Sequence, residues 1–313
     1  MNLPQWEILG TTKAKVIHED GSVDVNVYNN KILNSFYNWI VSKQNVYQLN
    51  PTLKLGTGTS ETDLGMSGLE SLITLTSGSW PAIPVTAGTT VGDFIENDTV
   101  VSIKTTFVFI FKKGQVVDTL SEYGMSMAAA GGSLVDTRVK VTDSQGNPAT
   151  ITVLGTDQLV IEYTLELRAP KVVPPFVVPV VTNGVSVDHT FQFVWGPWRN
   201  FAAYLNMVGG YMNGGSSAAS MLTANVSSFA ADFASQTAYG TTAGLVSVVQ
   251  QNATELFIDY TFGSTKGNQA SGINYLSANA YSGEWWRYNI TPPIAKAEGQ
   301  ELKFRLSMAK RGS

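Results

Sequence analysis

At 313 residues the chain exceeds one typical domain of about 100–200 residues and suits two. Only 14% of its residues are charged, the formal net charge is −4 and cysteine is absent, which excludes disulfides, thiolate metal sites and a cysteine nucleophile. The weakly acidic balance leaves no basic footprint for nucleic acid, and the neutral Thr- and Gly-rich composition suits a β-rich protein that buries area against neighbours.

In chain order, the opening MNLPQWEILG has neither a basic nor an apolar signal region, so no secretory leader is expected. The stretch AKVIHEDGSVDVNVYNN alternates apolar and polar residues around Asp20-Gly21, which predicts a β-hairpin. Next, Ile32, Leu33, Phe36, Trp39 and Ile40 recur at helical spacing and predict an amphipathic helix from about Asn30 to Lys43. A glycine pair follows in LKLGTGTSETDLGMSGLESLI. It lacks the lysine or third glycine of a phosphate loop, and Glu61 would repel a phosphate. Gly56 and Gly58 therefore read as structural turn residues where a side chain would clash, with Thr57, Thr59 and Ser60 capping freed backbone groups.

From Thr99 the period becomes two. VVSIKTTFVFIFKKG, SLVDTRVKVTDSQGN and ITVLGTDQLVIEYTLELRAP predict strands of about ten residues separated by turns. The run from Val172 to Val181 carries three prolines and spans about half a bilayer, so it does not cross a membrane as a helix. It reads as an extended linker or an edge-hugging arm. The expected division is an N-terminal β domain at 1–170, a Pro/Val-rich arm at 171–188 and a C-terminal β domain at 189–313. The second domain echoes the first in order: WRNFAAYLNMVGG stands for NSFYNWIVS, GGSSAAS for GTGTS, ELFIDYTFG for VSIKTTFVFIF, and GQELKFRLSMAKRG for DQLVIEYTLELRAP. The expected fold is mainly β, two tandem sandwich-like domains with one or two short amphipathic helices, the second domain reading as a duplicate of the first.

For chemistry, His18 and His189 are the only histidines, fewer than a histidine metal site needs. His18 belongs to a solvated turn. DSQGN at Asp143 opens like a calcium loop without its closing glutamate and reads as a turn. No G-x-S-x-G occurs, so no acyl-transfer elbow is expected. Asp93, Glu96 and Asp98 form an acidic loop in which no catalytic pair stands out. No metal, cofactor or enzymatic activity is expected. The aromatic groups at Trp195 and Trp198 and at Trp285, Trp286 and Tyr288 suit either core and subunit packing or stacking on a host-surface glycan.

The sequence of pieces carries a resemblance: Asn29, Asn30 and Asn34 at a helix start, then Gly56-Thr57-Gly58-Thr59 ending a strand, then Asp63-Leu64 and long alternating strands. This resembles a family of tailed-bacteriophage virion proteins of the tail, collar and fibre-attachment type, over residues 10–168. An arginine that often follows the Leu stretch in that family is missing from SLITLTSGSW. The resemblance implies a virion location after synthesis in the host cytoplasm, a β-sandwich-like fold and no catalytic residues. Expected partners are copies of this chain and other virion proteins in the tail, neck or baseplate; the alternatives are a glycan- or receptor-binding module and a capsid decoration protein.

Overall fold

A computed structural model of the chain describes residues 7–36, 51–76, 78–81, 93–96, 99–127, 132–182, 184–195, 222–224, 241–242, 245–252, 255–264, 272–280 and 283–309. The protein is mainly β and built from antiparallel sheets. In the first half the strands are β1 (Glu7–Ile17), β2 (Val23–Ile32), β3 (Thr52–Gly56), β4 (Asp93–Glu96), β5 (Val100–Phe111), β6 (Asp118–Leu120), β7 (Glu122–Ser126), β8 (Thr137–Lys140), β9 (Ile151–Val153) and β10 (Gln158–Pro170). In the second they are β11 (Phe176–Thr182), β12 (Val185–Trp195), β13 (Leu222–Ala224), β14 (Thr241–Thr242), β15 (Leu245–Asn252), β16 (Glu255–Phe262), β17 (Ile273–Ala280), β18 (Gly283–Ile294) and β19 (Leu302–Ala309).

The alternation in the sequence sets the faces of the first sheet. Along β1 the buried positions are Ile8, Gly10, Thr12, Ala14 and Val16, and the register places Ala14 between Asn26 and Ile161 and carries that row on to Phe109. Because directly opposed residues share a face, Phe107, Phe109, Phe111, Leu159, Ile161 and Tyr163 form one buried layer. The eight strands run β3-β7-β8-β2-β1-β10-β5-β4. The sheet curls into a near-barrel: Tyr123 on β7 reaches Thr12 on β1 with a 2.6 Å hydroxyl–hydroxyl hydrogen bond, and its ring meets Tyr28 on β2 edge-on.

The predicted helix is corrected at its start. Asn30 to Ile32 complete β2, and helical backbone begins at residue 34 and runs through residue 36. Asn30 is held in the strand by its place opposite Gly10 and by donating Nδ2–H to the buried Tyr163 hydroxyl. Leu33 and Phe36 are fully buried; Trp39, Ile40 and Lys43 lie outside the described residues.

Of the two readings of the Pro/Val segment, linker and edge-hugging arm, the structure has the segment at a sheet edge as a strand. Residues 176–182 are β11, which forms a hairpin with β12, Thr182 facing Val185 and Gly184 taking a left-handed φ of 78°. β11 is the outer strand of the six-stranded sheet β11-β12-β18-β17-β13-β14, where Pro179 is tolerated because an edge strand leaves half of its backbone groups out of the ladder.

The strand order of the first half recurs in the second. With the outer strand β14 set aside, β13-β17-β18-β12-β11 followed by β19-β16-β15 matches β3-β7-β8-β2-β1 followed by β10-β5-β4, with chain order preserved throughout. The strands of ELFIDYTFG and GQELKFRLSMAKRG pair antiparallel as β16 and β19, as β5 and β10 do. Among the described residues the halves differ at a seam, since β1 pairs with β10 along its length whereas β11 and β19 belong to separate sheets, and β14 and the pair β6-β9 have no counterparts. The segments 198–210 and 214–220, which complete the echo in the sequence, lie outside the described residues.

Candidate functional site

The glycine pair turns around a buried ion pair. Glu122, first residue of β7, and Arg138 on β8 are both fully buried, and Arg138 Nε donates to Glu122 Oε2 at 2.7 Å. Glu122 Oε1 accepts the backbone N–H of Gly58 at 3.0 Å and of Ser71 at 2.8 Å, while Oε2 takes that of Glu70 at 3.3 Å. The carboxylate thus accepts four donors, the condition under which a buried charge is tolerated. Around it, Ser121 Oγ donates to Gly58 O and Glu70 Oε2 accepts Ser60 N–H. Arg138 extends beneath the loop to Ser60 Oγ, Thr62 Oγ1 and the Glu61 carbonyl.

This geometry explains the glycines. Neither has a left-handed φ, so room rather than handedness selects them. A Cβ on Gly56 would lie 2.6 Å from both Glu122 Oε1 and the Ser71 carbonyl, and one on Gly58 would run into Glu122 Oε1 and the Glu70 side chain. The capping expected from neighbouring hydroxyls is corrected: Glu122, Glu70 and Ser121 satisfy the loop backbone, while Thr57 Oγ1 donates to Ser71 Oγ. Close by, Lys54 is buried on β3 and donates to the Leu134 carbonyl at 2.9 Å. Desolvation depresses its pKa, and Asp136 partly opposes that. The polar groups of the clamp spend their hydrogen bonds on position, and what the arrangement does is hold the segment 57–72 against β7.

A second polar cluster closes the β1–β2 hairpin. His18 bridges two carboxylates, Asp24 through Nε2 and Asp157 through Nδ1, each at 3.1 Å. Asp24 foremost, then Asp157, raises the His18 pKa, and the Leu154 N–H followed by His18 lowers that of Asp157. A raised histidine stabilises the fold fully below its unfolded value, and the gain fades as pH climbs through the folded value. A depressed aspartate adds stability that is lost as pH falls through its own. The contribution therefore occupies the window from above the usual carboxylate range to just beyond about 6.5. His18→Asn is expected to lower Tm most at about pH 5.5 and scarcely at about pH 8.5. A Tm difference from wild type that does not vary over that range would refute the bridge.

The structure treats the aromatic groups differently. Tyr288 is fully buried, ringed by Phe176, Phe191 and Phe193 at centroid distances of 5.6, 6.4 and 5.1 Å, and burial pushes its pKa well up. Of the two readings of Tyr288, core packing is the one that its burial supports, and it is not available as a glycan or interface contact. Trp195 on β12 and Trp286 on β18 are register partners, and Trp285 precedes Trp286 on the same strand; Trp198 lies outside the described residues. Asp143 is spent on its own turn, accepting Gln145 N–H at 2.9 Å and Asn147 N–H at 2.8 Å. Asp93 and Glu96 bound strand β4 instead of lying in a loop. Among the described residues, no three acidic or histidine side chains are placed to share a metal, and no helix is long and apolar enough to cross a membrane.

Sequence reasoning finds the glycines and misses the ion pair beneath them. The available signal is two long charged residues, Glu122 and Arg138, inside strands of period two. The chain matches no family model, no curated protein and no solved structure.

Proposed function

We propose that this chain is a structural protein of a tailed-phage virion that assembles in the tail, neck or baseplate, and that its two halves are copies of one domain. The observation that carries assembly is apolar side chains left in solvent on regular strands. Val23, Val25 and Val27 on β2 and Val108 and Ile110 on β5 are exposed, as are Val177 and Val181 on β11 and Val185 and Val187 on β12. In the first half these belong to rows shared with neighbours: Val27, Lys13, Glu162 and Val108 align, as do Val25, Lys15, Val160 and Ile110. Scattered exposed valines need no explanation, whereas several gathered on the strands of one sheet mark a surface that another protein covers. The virion setting rests on the resemblance at Asn29, Asn30, Asn34, Gly56–Thr59 and Asp63-Leu64. The duplication is supported by the preserved strand order.

Immunogold electron microscopy of purified virions, with antibody against this chain, tests the proposal. Gold is expected at the neck, tail or baseplate. Gold confined to the capsid shell would replace tail assembly with decoration, and particles that bind control antibody but not this one would overturn the virion reading. Glycan binding, the rival, predicts tryptophan fluorescence quenching by host-surface polysaccharide at micromolar protein.

A further inference from the structure

Among the described residues, the outer edge of the hairpin β1–β2 is unpaired along most of β2. β2 pairs with β1 from Val23 to Asn30, but on its other side β8 meets it only at Lys31 and Ile32. Residues 23–29 therefore present a strand edge with no partner strand among the described residues. Residues 23–27 are exposed on both faces of the strand, and Val27 reaches 68%. Free edges in stable monomers are guarded by lysine, proline, a bulge or a covering loop. This edge reads VDVNVYN, without lysine or proline, and its one charge, Asp24, is engaged by His18.

We propose that this edge pairs antiparallel, about a two-fold axis, with the same edge of a second copy of the chain. The inference deepens the assembly reading above and rests on it. The occupant follows from self-complementarity. Use of the whole open segment requires the axis to pass at its centre, Asn26, so that Asn26 faces Asn26 of the copy. Val25 then faces Val27, Asp24 faces Tyr28 and Val23 faces Asn29. No like charges oppose each other, and apolar residues meet on the outward face, where cross-strand pairs stabilise a sheet. The outward rows through Val25 and Val27 then continue from one molecule into the next and bring valines into lateral contact across the axis. A two-fold contact of this kind uses one patch twice, the commonest closed arrangement.

The closing experiment uses the full chain. Because the sequence has no cysteine, Asn26→Cys introduces one thiol at the axis. Mild oxidation is expected to convert it to a disulfide-linked dimer, whereas Thr152→Cys, on an exposed residue of β9, is expected to stay monomeric on a non-reducing gel. Sedimentation velocity of wild type is expected to show association across micromolar concentrations. In V25K/V27K lysines face lysines across the axis, and the dimer is expected to be lost; in V25E/V27K each glutamate faces a lysine, and it is expected to return. Positions 25 and 27 are already exposed, so folding should persist, and Tm checks it. If the lysine variant fails to fold, the cysteine cross-link decides alone. Association that persists in a folded V25K/V27K, with no Asn26→Cys cross-link, would overturn the edge while leaving assembly through another surface intact. A wild-type chain that stays monomeric throughout would overturn the self-pairing, and immunogold labelling would then judge the virion reading independently.

Discussion

Glu122→Ala is expected to cost about 3–5 kcal/mol of folding stability, the loss typical when one partner of a buried ion pair is removed and the other remains. Arg138 is fully buried and would keep its charge beneath the loop with only Ser60, Thr62, Met66, the Glu61 carbonyl and the more distant Glu70 around it. Three backbone donors, at Gly58, Glu70 and Ser71, would lose their acceptor together. Arg138→Met should cost a similar amount, because the carboxylate would then be buried with neutral donors alone. The double variant E122A/R138M should be more stable than the sum of the single losses implies, since groups in one network do not add. Denaturant unfolding of the four proteins gives this cycle. Hydrogen exchange at residues 57–60 and 69–72 should speed up in each single variant more than exchange in β10. A loss below about 1 kcal/mol for Glu122→Ala would place the pair among interactions that contribute little net stability, and Gly56 and Gly58 would then need an origin other than the clamp they surround.

How far the sequence reveals the fold depends on whether a strand has one buried face or two. β1 and β10 are covered on one side, and their alternation is plain in AKVIHED and QLVIEYTLEL. β7, in contrast, is buried at every position from Glu122 to Ser126, and β3 at every position from Thr52 to Gly56. Both strands face the core on one side and on the other lie beneath chain such as the loop after β3. A period-two reading assigns Glu122, Lys54 and Arg138 to solvent, and only the three-dimensional covering reveals that they are the polar supports of that loop. The helix start is misread for a related reason. Asn30 and Ile32 fall at helical spacing with Leu33 and Phe36, but Asn30 is drawn into β2 by Gly10 and Tyr163, residues far away in sequence. The Pro/Val segment reads as either a linker or an edge-hugging arm because proline is scarce in sheet interiors, and at the rim of a sheet one Pro179 is admissible. The correspondence between halves is legible in part, as the echo of β5 and β10 in β16 and β19. The matching order β13-β17-β18-β12-β11 depends on non-local pairing that no local pattern encodes.

Phe191→Ala is expected to cost about 3–5 kcal/mol, the range for removing a buried phenyl ring when its surroundings relax only partly. Phe191 on β12 stacks on Phe176 of β11 at 5.3 Å and meets Tyr288 of β18 and Phe304 of β19 edge-on, each at 6.4 Å. It therefore touches both the six-stranded sheet and the three-stranded sheet β15-β16-β19, across the seam that β1 and β10 close by hydrogen bonding in the first half. Where backbone pairing is missing, side-chain packing must couple the two sheets. Phe109→Ala on β5 removes a ring of equal size from the first half, but there the ladder between β1 and β10 still ties the layers together. Similar global losses are expected from the two variants, with different local signatures. In Phe191→Ala, hydrogen exchange in β16 and β19 should accelerate selectively, because those strands lose their link to β11 and β12. In Phe109→Ala, acceleration should spread evenly through β1, β5 and β10. If β16 and β19 exchange no faster in Phe191→Ala than β10 does, the second half is held together by something other than its aromatic cluster. The open seam between β11 and β19 would then carry less of the stability than this arrangement of rings implies.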